Sequence, residues 1–170
     1  MRIKTERLII TTFTPDMAEA VHRNSLDADN RRFVPDEVFE TLDEAQETVD
    51  FRISRYDSPD GPFVDPILLR DGANIGYIQL IKIKEGWEIG YHIAQSYTRH
   101  GYACEAVRAF LPVITQGKGI RDVYGICLAD NLASRKVLAR CGFKPVFEGK
   151  ALYQGAEREI LRTIWSSDQM

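Results

Sequence analysis

The stretch from Glu88 to Ala106 joins two incompatible periodicities, and that junction limits the folds open to the chain. Trp87, Ile89, Tyr91 and Ile93 alternate with Glu88, Gly90 and His92, the two-residue period of a strand, whereas Ala103, Ala106, Val107, Phe110 and Leu111 repeat with helical spacing. A strand that runs through a short polar turn into a helix aims the helix's first N–H groups at one point, and that point attracts an anion. Gly101 lets a ligand approach the backbone where a Cβ would intrude, and Arg99 and His100 add donors or positive charge beside it. With Tyr102 and Ala103 opening the helix, the turn suits a diphosphate group. Strand-to-helix turns with a glycine also occur for structural reasons alone.

The rest of the chain supports a mixed α/β reading. Arg7 to Phe13 reads as a first strand, and Thr14 and Pro15 read as the cap and first residue of a helix. Ser25 to about Glu40 is polar and irregular. Thr41, with Glu44 three residues on, reads as the capped start of a helix running to about Arg55. Three strands follow the breaker cluster Asp57 to Pro62: Phe63 to Leu69, Ile75 to Ile83 and Trp87 to Ala94, an antiparallel meander. The helix from near His100 is expected to end around Gly117, with Pro112 kinking or breaking it. Val123 to Leu128 reads as a strand and Ala133 to Cys141 as a helix stopped by Gly142. Phe143 to Glu148 and Glu159 to Trp165 read as two closing strands.

At 170 residues and 44% hydrophobic, the chain has material for a sizeable core and is expected to form one domain over residues 1–170. A net charge of −3 gives no general attraction to nucleic acid or to an anionic membrane. The N-terminal residues lack the apolar segment of a signal peptide, so the expected compartment is the cytoplasm. Cys104, Cys127 and Cys141 are odd in number and lack C-x-x-C spacing, and His22, His92 and His100 are scattered, so no metal site is expected.

Gly101-Tyr102-Ala103-Cys104-Glu105-Ala106, preceded by Glu88 to Tyr91 and followed by Asp130 to Ser134 and Cys141-Gly142-Phe143, resembles the GCN5-related N-acetyltransferase (GNAT) family. The likeness is closest to the branch of ribosomal-protein N-terminal acetyltransferases, whose opening strand Thr5 to Ile9 also resembles. Thr98 and Arg99 depart from the family's turn pattern, which has Gln or Arg at the first position and often Gly at the second. The resemblance implies a GNAT-like fold: a central mixed sheet flanked by helices, with two central parallel strands that splay apart and leave a slot for acetyl-CoA. It places the pantetheine arm beside strand 87–94, paired with main-chain groups near Tyr91 and Ile93, in the manner of strand augmentation. A plain core role is the competing reading of Tyr91 and Ile93, and the two are compatible. Asn131, otherwise an ordinary helix cap, would contact the coenzyme, and Ser134 would lie near the thioester sulfur.

The implied chemistry is acetyl transfer from acetyl-CoA to a primary amine by direct attack, which requires a proton acceptor for the ammonium and a donor for the departing thiolate. Glu88 and His92 share one strand face and are the candidate bases. A solvent-facing Glu88 and a packed His92 are the competing readings. Ser134 and Tyr153 are the candidate donors, Tyr153 lying in the segment Gly149 to Gly155 between the last two strands, where it also suits a packing or wall role. Phe33, Phe63 and Trp87 are candidates for the acceptor mouth. The branch likeness points to a protein N-terminal α-amine as acceptor, with a small amine such as a polyamine or amino sugar as the alternative, on a protein acting as monomer or homodimer. A coenzyme-binding module without turnover is the opposing class.

Overall fold

The computed structural model describes residues 1–169. Its strands are β1 (Ile3–Lys4), β2 (Leu8–Ile10), β3 (Phe63–Leu69), β4 (Asn74–Ile83), β5 (Gly86–Ile93), β6 (Asp122–Leu128), β7 (Lys144–Tyr153) and β8 (Ala156–Ser166). They form one sheet in the order β1-β2-β3-β4-β5-β6-β8-β7. Every neighbouring pair is antiparallel except β5 and β6, which run parallel and are in register only at Glu88–Tyr124 and Ile89–Gly125. Beyond that point the two strands part.

Helices cover both faces. On one lie α4 (Tyr102–Lys118) and α5 (Leu132–Arg140), where Val107, Phe110 and Leu111 pack with Leu8, Ile78, Leu80 and Ile89. Each such side chain, fully buried, contributes about 1.5–3 kcal/mol. On the other lie α1 (Ala18–Ser25), α2 (Ala28–Phe33) and α3 (Leu42–Ser54), with Val21, Ala45 and Val49 packed on Phe13 and Val64. Neighbouring strand residues such as Phe63 and Val64 belong to different clusters, as the two-residue period requires.

The meander and α3 match the sequence reading to within a residue or two, and Thr41 and Glu44 form the full capping box. Other expectations need correction. The first strand is short, Leu8–Ile10, and Pro15–Met17 is a 3-10 turn before α1, with no side-chain cap from Thr14. The stretch read as irregular contains α2, capped by Asp27, whose carboxylate accepts the Asn30 N–H at 2.8 Å. Its only buried residue is Asn30, so no apolar period could reveal it. α4 continues through Pro112 without a break: the proline costs one ladder bond, while Leu111 and Ile114 on either side stay buried against the sheet. The closing strands form one long hairpin, because Gln154 and Gly155 both take positive φ and make a two-residue turn. Tyr153 is therefore the last residue of β7 rather than part of a loop.

Asp65 on β3 is 2% exposed, and its Oδ1 has no hydrogen-bond partner among the described residues. Burial pushes its carboxyl up to about 7, against the smaller opposing effect of the nearby Tyr56 hydroxyl, which itself donates to the Val64 carbonyl at 2.7 Å. The folded state thus holds this proton more tightly than the unfolded chain, so the stability this group contributes is full below about pH 4 and is lost as pH rises towards 7. Asp65→Asn should raise the thermal midpoint at pH 8 and have a much smaller effect at pH 5, measured by circular dichroism. An equal change at both values would show that the buried charge is not the cause.

Candidate functional site

The parting of β5 and β6 creates the site. Beyond Ile89, the β6-facing backbone groups of β5 have no strand partner, since β6 pairs onward only with β8. The gap opens into a cavity of about 460 Å³. Tyr91, Cys127, Ser134 and Leu138 line it from the α4–α5 face, and Glu88, Gln79, Ile126 and Arg162 from the opposite face. It therefore passes through the sheet and reaches both sides. An unpaired strand edge beside such a slot can bind an extended amide chain as though it were another strand.

Two glycines sit where the strands separate. A Cβ on Gly125 would lie 2.4 Å from Leu138 Cδ2, so only glycine admits α5 this close to β6. A Cβ on Gly90 would lie 2.7 Å from the Gln79 side chain on the other face.

Glu88 stands at the apex of the split, in the last stretch where β5 still pairs with β6. Burial raises its carboxyl to about 7; nearby Arg162 acts against the rise and Glu85 adds to it. Across the slot, the Tyr91 hydroxyl lies 2.9 Å from Ser134 Oγ, where either can donate, and 3.3 Å from the Ser134 carbonyl, an alternative acceptor for its one proton. Burial raises the Tyr91 phenol above its ordinary range, so the ring keeps its proton. Asn131 accepts the Ser134 N–H at 3.2 Å and lines the cavity, so it is a helix cap within the site.

At the end of β5 the chain passes through Gln95–Tyr97 and the turn Arg99–Gly101 into α4. Arg99 and Gly101 both have positive φ, 66° and 80°. The first intrahelical bond runs from the Glu105 N–H to the Gly101 carbonyl, so the N–H groups of Tyr102, Ala103 and Cys104 have no partner within the helix. Arg7 clamps the turn from the β1–β2 connection. It donates to the His100 carbonyl at 2.8 Å, stacks over Tyr102 at 4.7 Å and pairs with Glu105 at 2.6 Å.

Of the residues singled out in the sequence, the structure brings Glu88, Tyr91, Asn131, Ser134 and Tyr153 to one cavity. Arg99, His100, Gly101, Tyr102 and Ala103 form the separate turn, and the Ile93 side chain packs against the core. His92 does not line the large cavity: its Nε2 is 3.1 Å from Asp27 Oδ2, and Asp27 also accepts the Gln95 N–H. Burial alone would raise Asp27, but the hydrogen bonds from His92 and Asn30 outweigh it and hold the carboxyl low. Tyr153 donates to the Ile126 carbonyl at 3.4 Å. Phe33 lines the cavity, whereas Phe63 and Trp87 stack on each other at 5.8 Å away from it. Sequence reasoning missed Arg7, Cys127, Arg162 and Glu37, which carry no local motif and converge only through folding.

The family model described as an acetyltransferase (GNAT) domain matches residues 7–144. Among curated proteins, the chain is similar to the uncharacterized N-acetyltransferase YnaD of Bacillus subtilis (strain 168), at 28% identity over 147 residues covering 85% of this chain and 83% of the relative. Among solved structures it is similar to an acetyltransferase (GNAT family) from Bacillus anthracis, with a TM-score of 0.85 at 24% identity over 99% of each chain. It is also similar to RimL, a ribosomal L7/L12 alpha-N-protein acetyltransferase in complex with coenzyme A, with a TM-score of 0.85 at 19% identity over 100% of both chains. At these identities the solved structures share the fold.

The Glu88 environment has a direct test. In a carbon-13 NMR titration of the carboxyl groups, one glutamate should titrate near pH 7 and vanish from the spectrum of Glu88→Gln. Arg162→Met should move it to higher pH, because the guanidinium favours the carboxylate. A Glu88 that titrates in the ordinary carboxylate range would contradict the burial described here.

Proposed function

The chain belongs to the GNAT family of acetyl-CoA-dependent N-acetyltransferases, and we propose that its acceptor is the α-amine at a protein N-terminus. The observation that carries this reading is the cavity that passes through the sheet, because it lets two substrates enter from opposite faces and meet between the parted strands. RimL, a ribosomal L7/L12 alpha-N-protein acetyltransferase that shares the fold over its whole length, supports the N-terminal choice.

The residues present suit the coenzyme. The unpaired edge of β5 from Gly90 to Ile93 offers main-chain donors and acceptors to an extended amide arm, and the N-terminus of α4 offers N–H groups to a diphosphate. Bound there, acetyl-CoA supplies an acyl carbon activated as a thioester. Glu88 takes the proton from the acceptor ammonium, directly or through a water, so that the nitrogen gains a lone pair. A carboxylate raised to about 7 suits that task near neutral pH, where it is ionised in part and basic enough to matter. On the other side, when the Tyr91 phenol turns its one proton to Ser134 Oγ, 2.9 Å away, the Ser134 proton is available to the departing sulfur. His92, paired with Asp27, fixes the end of β5 to the cap of α2, and Tyr153 forms part of the cavity wall.

Two measurements test this. Acetyl-CoA at a hundredfold excess over its dissociation constant should stabilise the fold by roughly 2.7 kcal/mol. Gly101→Val should remove most of that shift, since a branched residue at positive φ distorts the turn. A flat thermal scan and flat calorimetry at millimolar coenzyme would exclude the site.

For turnover, a mass-spectrometric screen of N-terminal peptides, polyamines and amino sugars should show a coenzyme-dependent acetyl gain on the peptides. Activity should rise with pH through about 7 as Glu88 ionises. Glu88→Gln should lower turnover on the order of a hundredfold and flatten that limb, with coenzyme affinity retained. Unchanged turnover in Glu88→Gln would remove it from the mechanism.

A further inference from the structure

Behind the slot wall, on the face covered by α1 and α3, a second and much smaller cavity gathers polar atoms that lack partners. It measures about 20 Å³ and is lined by apolar Phe13, Val21 and Phe39 and by polar Asn30, Arg52 and Asn74. Asn30 is 1% and Arg52 3% exposed. One atom of each polar residue, Asn30 Oδ1, Arg52 Nη1 and Asn74 Nδ2, is buried without a hydrogen-bond partner among the described residues. A buried donor or acceptor left in this state costs free energy, so native structures rarely keep one, and three around a single space call for a common partner.

Neighbouring bonds fix which end of each side chain is open. The Asn30 amide nitrogen donates to the Ser25 carbonyl at 2.9 Å and to the Glu37 carbonyl at 2.8 Å, which uses both its protons and leaves Oδ1 as an open acceptor. Asn74 Oδ1 accepts the Gly76 N–H at 3.1 Å, so its amide nitrogen is an open donor. Arg52 gives Nη2 to Glu37 Oε2 at 2.5 Å and is held 5.3 Å from the Phe13 ring and 5.1 Å from the Tyr77 ring, with Nη1 left as the second open donor. This set selects its ligand. An anion would meet Asn30 Oδ1 and lie beside the Glu37 carboxyl, whereas a cation would meet the Arg52 guanidinium and the Asn74 amide nitrogen. A water molecule accepts twice and donates, which matches all three atoms, and a space of about 10–15 Å³ is enough to hold one.

We propose that this cavity is a binding site for one internal water, which accepts from Arg52 Nη1 and Asn74 Nδ2 and donates to Asn30 Oδ1. Asn30 lies on α2, Arg52 on α3 and Asn74 at the start of β4, so the water joins three elements at one point. Glu37 and Tyr77 line both this cavity and the slot, so the same point braces the slot wall from behind. The inference is independent of the acetyl-transfer reading and of the acceptor.

Oxygen-17 magnetic relaxation dispersion counts the internal waters that exchange slowly with solvent. Asn74→Leu removes one donor and adds bulk, and Val21→Ile adds a methylene against the same cavity without touching a hydrogen bond. Each variant, checked for folding by circular dichroism, should hold one slow water fewer than the parent, and Val21→Ile carries the test if Asn74→Leu unfolds. In a high-resolution crystal structure of the parent, a single density peak should lie within hydrogen-bond distance of all three atoms and show no anomalous signal after a bromide soak. Loss of one slow water in either folded variant supports the site. A cavity without density, a bromide peak, direct bonds among the three side chains, or an unchanged water count in the folded variants overturns it.

Discussion

The site depends on two parallel strands that pair for a single step and then separate. Neighbouring strands in a sheet ordinarily continue their ladder, since an unpaired buried N–H or carbonyl costs free energy. Here β5 and β6 give up that continuation at Ile89 and Gly125. Glycine stands on both sides of the parting, with Leu138 of α5 pressed onto Gly125 and the Gln79 side chain laid over Gly90. Larger residues at either point would push these neighbours away. The slot, the free edge of β5 and the apex position of Glu88 all follow from this one departure from regular pairing.

Charge is distributed along the same axis. At the far end of β5, Arg99 and His100 lie in the turn that Arg7 clamps, while Asp36, Glu37, Glu85 and Glu88 line the cavity. Basic groups therefore gather at the turn and acidic ones along the cavity wall. Net charge conceals this arrangement. A value of −3 speaks only against general binding to polyanions, because it averages over ends of opposite sign.

Where the sequence carries a strong period or a punctuated boundary, its reading survives folding. β4 and β5 alternate apolar with polar or small residues, β3 is a continuous run marked off by the breakers before it and the Asp71-Gly72 turn after it, and Thr41 and Glu44 announce α3 through a local reciprocal cap. The reading weakens where the period is absent or where a strong local signal is outvoted. α2 buries only Asn30 and so leaves no apolar stripe, although its Phe33 lines the cavity and the Phe33 carbonyl accepts from Gln154 at 2.8 Å. Pro112 is a breaker by its own chemistry, yet α4 passes through it because the flanking apolar residues remain packed. Both closing strands are legible, but their extension into one long hairpin is not, because polar and exposed residues fill an edge strand whose pairing is supplied by β8 alone.

The sequence by itself determined the strand-to-helix turn, the meander before it and the residue types from which a coenzyme slot is built, because these rest on local dihedral preference and on periodicity over a few residues. Only the tertiary structure decided which side chains share the cavity. Arg7 reaches the turn across the sheet to bind the His100 carbonyl, Tyr91 and Ser134 meet across the gap between β5 and α5, and His92 is drawn to Asp27 instead of the slot. The raised carboxyl of Glu88 belongs to that second category as well. Its cause is the removal of water by residues distant in the chain, a property that no local pattern encodes.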